Sequence, residues 1–189
     1  MIHERGYWLS TDNTAYCCDK SLADALVEMF GDCTVVDIGC GNGDYVKHFL
    51  NNKILCVGYD GNPDTPKITH GLCGVKDFSE PVDIGKFDLV LSLEVGEHIP
   101  VEYEQTFLDN ICRASKKYIC LSWATPGQEG IGHVNCRDNC YIIKEMRARV
   151  VEMNIEMTKA IRKASTLPWG KNTIMIFEKD KEINEYKNF

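Results

Sequence analysis

An α/β fold built on a mostly parallel sheet is what this sequence predicts, on three observations. Apolar runs without polar alternation, at 35–38, 54–59 and 87–93, have the composition of strands buried on both faces. Segments of helical spacing separate them. The first run leads straight into Gly39-Cys40-Gly41-Asn42-Gly43-Asp44, a glycine turn opening a helix, which is how a chain brings bare backbone against a ligand. Right-handed crossovers then put the carboxyl ends of the parallel strands on one edge of the sheet, where ligands bind in such folds.

Taken in order, 22–30 is spaced as a helix, with Asp19-Lys20-Ser21 to cap it and Gly31 to end it. The first strand at 35–38 feeds a crossover helix at 43–51. A second strand, 54–59, ends at Asp60, and a third contains Leu72-Cys73. Residues 87–94 form the fourth strand, 101–115 a helix, 117–123 the fifth strand, and 138–149 a helix after the loop at 124–137. Residues 150–157 and 172–178 read as two last strands, the second alternating as an antiparallel strand does. The polar stretch 180–189 reads as a frayed tail.

Composition fits one domain over 1–189, large enough to bury about 70% of its unfolded surface. No apolar run approaches the ~20 residues that span a bilayer, and the start lacks a basic-then-apolar leader, so the cytoplasm is the expected compartment. Of ten cysteines, Cys33, Cys40, Cys56 and Cys120 lie in or beside apolar strands, as reduced core thiols do. No C-x-x-C pair occurs, which argues against a zinc ribbon. With 28 acidic side chains against 21 basic ones and a net charge of −7, the chain does not advertise a phosphate-binding surface.

Asp60 lies 17 residues beyond Gly43, at the tip of the second strand. A carboxylate there can accept both hydroxyls of a ribose. Standing before Gly61-Asn62-Pro63, it also reads as a turn aspartate. A dinucleotide site wants G-x-G-x-x-G, whereas here the third glycine comes early, at Gly43, with Asp44 in its place.

The D-x-G-x-G-x-G of Asp37, Gly39, Gly41 and Gly43 resembles motif I of the class I S-adenosylmethionine (SAM) dependent methyltransferases. Phe87-Asp88-Leu89-Val90, running on to Glu97-His98-Ile99, resembles that family's strand-4 segment, which delivers residues to the rim facing the methyl group. The resemblance spans nearly the whole chain. It implies a Rossmann-like three-layer sandwich whose seven-stranded, mostly parallel sheet has the order 3-2-1-4-5-7-6, with one antiparallel strand. It implies SAM as cofactor, contacted by Asp37, Gly39, Cys40, Gly41, Gly43, Asp60, Gly61 and Glu94, with Asp77 and Phe78 beside the adenine. Glu4-Arg5-Gly6-Tyr7-Trp8 resembles a segment that precedes the core in small methyltransferases and folds over the cofactor. Residues 1–20 are therefore expected to form a lid carrying Tyr7 and Trp8; plain packing of these aromatics is the alternative. The stretch from Pro126 to Asn135 resembles a recurrent loop of uncharacterised small methyltransferases.

Methyl transfer from a sulfonium is an in-line displacement that needs alignment and, for a hydroxyl or protonated amine, a base. Of five histidines, His98 and His133 fall in loops after strand ends on the expected active edge, and with Glu97 they are the expected catalytic residues. Glu94-x-x-Glu97-His98 with the later His133 also resembles the divalent-metal constellation of small-RNA 3′-end 2′-O-methyltransferases. A bound metal is the less favoured reading. Tyr7, Trp8, Trp123 and Tyr141 are expected to wall the acceptor beneath the loop at 124–137. The expected acceptor is a small molecule methylated at N or O, with no membrane or nucleic-acid partner and an open oligomeric state. The alternatives are a metal-dependent RNA 2′-O-methyltransferase using a patch of Arg147, Arg149, Lys159, Arg162 and Lys163, and a non-catalytic SAM-binding subunit.

Overall fold

A computed structural model of the chain describes residues 2–9 and 17–179. At its centre is β1 (Val35–Ile38), every residue of which is buried. It pairs in parallel with β2 (Cys56–Asp60), Val35 opposite Cys56, and with β4 (Phe87–Ser92), Val35 opposite Leu89. Outside these lie β3 (Gly74–Val75), parallel to β2, and β5 (Ser115–Leu121), parallel to β4. The reversed strand β7 (Met175–Lys179) then joins β5 to β6 (Val151–Met153) by antiparallel pairing on both sides. The order is β3-β2-β1-β4-β5-β7-β6, as the motif resemblance implied.

Seven helices complete the described chain: α1 (Lys20–Phe30), α2 (Asp44–Asn51), α3 (Thr65–Ile68), α4 (Glu104–Ala114), α5 (Asn139–Ala148), α6 (Ile155–Ala164) and α7 (Pro168–Thr173). Strand alternation splits the core between two faces. On one, Val36, Ile38 and Val90 pack with Phe107 and Ile111 of α4 and Met146 of α5. On the other, Val35, Leu89 and Leu91 pack with Leu26 of α1, Phe49 of α2 and Ile161 of α6. Each fully buried side chain of this kind contributes about 1.5–3 kcal/mol, so the two layers hold the strand tips in fixed relation. Cys40, Cys56 and Cys120 are buried free thiols and Cys33 is half-buried. No helix among the described residues is long and apolar enough to cross a membrane.

Several boundaries differ from the sequence pattern. The run at 150–157 is not one strand: β6 stops at Met153, and Asn154 caps α6, its side chain accepting from Met157 N at 3.1 Å. The segment 172–178 begins as helix, because Pro168 starts α7 at the position where a missing N–H costs nothing. The third strand lies just beyond Leu72-Cys73. The fourth stops at Ser92, and two 3₁₀ turns, Gly96–His98 and Val101–Tyr103, precede α4. The expected tail at 180–189, and 10–16 of the expected lid, lie outside the described residues.

Asp19 ties α1 to the connection before α7. It accepts from Leu22 N at 3.2 Å, Ser165 Oγ at 2.8 Å, Thr166 N at 2.6 Å and Leu167 N at 3.2 Å. Burial pushes its carboxyl up, but the bonds from Ser165, Thr166 and Leu22 outweigh burial and bring it down to about 2 from an ordinary 3.8. A carboxyl depressed by folding stabilises fully above its unfolded value and loses that contribution as pH falls through the folded one, here between 3.8 and about 2. Asp19→Ala is expected to lower the unfolding free energy by about 2–4 kcal/mol at neutral pH. Urea denaturation at neutral pH and at about pH 3 should show the penalty shrinking in acid.

Candidate active site

Over the carboxyl ends of β1, β2 and β4 opens a cleft of about 360 Å³. Its floor is the glycine turn. Gly39, Gly41 and Gly43 take φ of +79°, +55° and +76°, a region that side chains rarely enter. The turn is anchored by Gly39 N and Cys40 N donating to Tyr59 O at 2.8 and 3.1 Å. A Cβ on Gly39 would lie 2.3 Å from Val95 Cγ2, so the turn packs flush against the loop after β4. Gly39, Cys40 and Gly41 line the cleft. Gly43 does not; it caps α2, and a Cβ there would meet Cys73 Sγ at 3.1 Å.

Three carboxylates stand around this floor. Asp60 Oδ2 accepts from Gly41 N and Oδ1 from Asn62 N, both at 2.9 Å, and each oxygen keeps a lone pair for a hydroxyl. It is thus turn aspartate and cleft carboxylate at once. Burial raises its carboxyl despite the bonds from Asn62, Gly41 and Gly61. Asp37 is buried in the cleft wall, and its Oδ2 has no hydrogen-bond partner. Burial, reinforced by Cys73 and Asp60, holds it well above the carboxylate range, so an arriving cation would supply what it lacks. Asp77 also lines the cleft, but its oxygens are engaged by Ser79 N and Oγ, at 2.9 and 2.6 Å, and by Arg5 at 3.1 Å. Phe78 beside it is buried and lines the cleft too.

Residues 2–8 form a strap across the opening. Ile2 and Trp8 bridge, His3 stacks on Tyr7 at 4.3 Å, and Arg5 pairs with Asp77 and Glu80. Tyr7 rests on Gly61, where a Cβ would come within 2.6 Å of it, and Trp8 meets His98 edge-on at 6.1 Å. Both expected lid aromatics line the cleft, as does Gly61.

At the other end four polar side chains converge. Glu94 has φ +54°; its carboxylate accepts from Ser122 Oγ at 2.8 Å and Gln128 Nε2 at 2.5 Å, and burial raises it against those bonds. Glu97 is 0% exposed and neither carboxylate oxygen has a hydrogen-bond partner. Burial, then the charge of Glu94, keeps its carboxyl well above the ordinary range. His98 Nδ1 lies 3.1 Å from Gly132 O and His133 Nδ1 3.0 Å from Gln128 O. Burial and then His133 pull His98 down to about 4. The rings meet edge to face at 5.0 Å, and His133 Nε2 is 3.9 Å from Glu97 Oε1. His133 is placed by its loop: Val134 N and Asn135 N both donate to Glu97 O at 2.9 Å, and Trp123 Nε1 donates to Asn135 O at 2.6 Å.

Two expected wall residues are elsewhere. Trp123 is 0% exposed and packs against Gly96 and Phe107. Tyr141 donates to Glu104 at 2.5 Å, in a buried network with Asn135 and Arg137 that braces the loop from behind. Their place is taken by Tyr45 and Trp169, while Gln128 closes the side near Glu94. Nothing in the spacing of the sequence marks any of these three as a cleft residue.

Residues 36–118 match the family model described as a methyltransferase domain. That segment, which runs from β1 into β5 and holds the glycine turn, Asp60, Glu94 and His98, is similar to a methyltransferase domain. Over 79 residues it is 32% identical to the chloroplastic tocopherol O-methyltransferase of Arabidopsis thaliana, a match covering 35% of this chain and 23% of that enzyme. The chain thus spans under a quarter of this curated relative. The domain superposes on the magnesium protoporphyrin IX methyltransferase of Synechocystis PCC 6803, solved with bound SAH, at TM-score 0.66 and 14% identity, covering 86% of this chain and 83% of that one. It superposes on a SAM-bound amino pentose methyltransferase of Micromonospora echinaspora at TM-score 0.67 and 12% identity, covering 89% and 94%. At such identities the likeness is one of fold.

Proposed function

We propose that the domain is a SAM-dependent methyltransferase acting at N or O of a small-molecule acceptor. The observation that carries this reading is a single cleft running from Asp60, past the glycine turn, to His98 and His133. In it Asp60 holds the ribose hydroxyls, Phe78 lies beside the adenine, Gly39–Gly41 lie under the amino-acid part, and the unpartnered Asp37 carboxyl faces its ammonium. Bound there, SAM supplies an electrophilic methyl group. The strap and loop 124–137 exclude water from the cleft, and the cluster of Glu97, His98 and His133 receives and orients the acceptor's O–H or N–H. The methyltransferases that resemble this chain act, by their names, on tocopherol, a magnesium porphyrin and an amino pentose, all small molecules.

Four of the five cations in the patch that would have served RNA are engaged at home. Arg147 pairs with Glu152, Arg149 with Asp109 and Glu145, Lys159 with Glu156, and Arg162 donates to Ile174 O. Calorimetry with S-adenosylhomocysteine is expected to give micromolar binding. Because Asp37 is raised in the free protein and must ionise to meet an ammonium, binding below that raised value should release a proton, so the heat should vary with the buffer's ionisation enthalpy. Absence of heat in every buffer refutes the reading. Methyl incorporation should then appear in a screen of amine, phenol and acid metabolites. Incorporation into mixed RNA instead, with binding that weakens sharply between about 50 and about 200 mM salt, would replace the acceptor class.

A further inference from the structure

The cleft does not close beside the histidines. Gln128, Glu129 and Trp169 line it there, and the same three residues line a second, more open groove of about 530 Å³. This groove runs between loop 124–137 and α7, with Pro126, Pro168 and Asn172 among its other walls. The half-buried indole of Trp169 thus stands at the junction and offers a flat apolar face along the way out. Charge along this path has one sign. Glu94 is half-buried near the histidines, Glu129 is exposed at the junction, and Glu97 lies behind His133, 0% exposed with both carboxylate oxygens unpartnered. The cations among the described cleft residues stand at the adenine end: Arg5 pairs with Asp77 and Glu80, and Lys76 N donates to Asp60 O. No lysine or arginine is among the described residues that line the groove.

Glu94 is held in place without being used up. Ser122 Oγ accepts from its N–H and donates to its Oε1, both at 2.8 Å; Thr173, a groove residue, reaches Oε1 at 3.4 Å. Gln128 Nε2 donates to Oε2, which keeps its second lone pair. A glutamate at φ +54° is strained, and such strain collects at ligand sites. The Nδ1 atoms of His98 and His133 face the carbonyls of Gly132 and Gln128, at 3.1 and 3.0 Å, so in the neutral rings Nδ1 carries the proton and Nε2 is a bare acceptor. Carboxylate oxygens and Nε2 lone pairs together call for a positive group that donates, whereas an incoming carboxylate or phosphate would meet like charge and no cation. We propose that the acceptor is a cationic amine on a flat or apolar body, its ammonium among Glu94, His98 and His133 and its body lying over Trp169 into the groove. This deepens the methyl-transfer reading and rests on it for the reaction, though not for the binding. In that reaction the ammonium gives one proton to His133 Nε2, the freed nitrogen lone pair bonds the methyl carbon, and the C–S electron pair leaves with the sulfur. Products are S-adenosylhomocysteine and the methylated ammonium, and Glu97 then faces a cation at His133 Nε2, 3.9 Å from its Oε1.

Phenethylamine, phenethyl alcohol and phenylacetate share a shape and differ in charge, which makes them the probes. Calorimetry with and without S-adenosylhomocysteine is expected to show phenethylamine binding about tenfold or more tighter than the alcohol, and no binding of phenylacetate. Trp169→Ala should weaken phenethylamine about tenfold, and Trp169→Phe, which keeps a flat ring, should retain most of the affinity, with thermal melting of both as the check on folding. Glu129→Gln, an exposed change, should weaken phenethylamine about threefold and leave the alcohol unchanged. Alcohol or phenylacetate bound as tightly as the amine overturns the charge assignment. Phenethylamine affinity unchanged in Trp169→Ala and Glu129→Gln, or in Glu129→Gln alone if Trp169→Ala fails to fold, overturns the groove. Wild-type protein that binds S-adenosylhomocysteine but not phenethylamine overturns the amine site and leaves the proposed function standing. Phenethylamine bound as expected with no S-adenosylhomocysteine binding under any condition keeps the amine site and refutes the methyltransferase reading.

Discussion

Asp60→Ala is expected to weaken S-adenosylhomocysteine binding about tenfold to a hundredfold, the roughly 1.5–3 kcal/mol that a hydrogen bond to a charged group contributes. The carboxylate has two tasks, which the experiment must separate. One is toward the ligand, whose ribose hydroxyls it would accept. The other is toward the protein, where Oδ2 holds Gly41 N and Oδ1 holds Asn62 N, each at 2.9 Å. Loss of the second task loosens the glycine turn and should appear as a lower melting temperature without ligand. Asp60→Asn keeps one carbonyl oxygen and so one of the backbone bonds, but no longer accepts from both hydroxyls. If the ribose contact dominates, Asp60→Asn should melt above Asp60→Ala and still lose as much of the affinity. Equal affinity for Asp60→Ala and wild type, measured by calorimetry, would sink the ribose assignment.

The positions that could be read from the sequence are those fixed by strand tips. Gly39, Asp60, Glu94 and His98 follow directly from β1, β2 and β4, and parallel pairing leaves little choice about which edge they occupy. His133 was found because histidines are few and its loop follows β5. What the sequence did not show depends on tertiary contact. Trp123 and Tyr141 sit near strand and helix ends, yet spacing cannot tell an edge residue facing a cleft from one turned beneath it. Trp123 turned inward because Gly96 leaves room for its ring, a Cβ there falling within 2.2 Å of it. Trp169 and Gln128 reach the cleft from segments whose path is set by α7 and by the bonds to Glu97 O. The missed α6 is a different case. Asn154 followed by Glu156 is a helix-start signal, but the β-branched pair Val150-Val151 just before it has strand character and the two readings meet within a few residues.

Gly39→Ala is expected to have the largest effect of any single change in the cleft, lowering S-adenosylhomocysteine affinity about a hundredfold and destabilising the fold by roughly 2–4 kcal/mol. Two costs add. At φ +79° an alanine is strained by about 1 kcal/mol or more, whatever the space around it. The new Cβ would also lie 2.3 Å from Val95 Cγ2 and 2.9 Å from Cγ1, which forces either the turn or the loop after β4 to move, at about 1–3 kcal/mol. Movement of the turn carries Gly41 N away from Asp60 and shifts the floor on which the amino-acid part of the ligand is proposed to lie. The two costs separate in a double-mutant cycle with Val95→Ala, which removes both offending methyls and leaves the backbone strain. The double variant should regain the clash share of stability and part of the affinity, while Val95→Ala alone stays close to wild type in ligand binding. If Val95→Ala restores nothing, the close approach is not what makes glycine necessary there. If Gly39→Ala binds as tightly as wild type, the turn is not the surface that meets the cofactor.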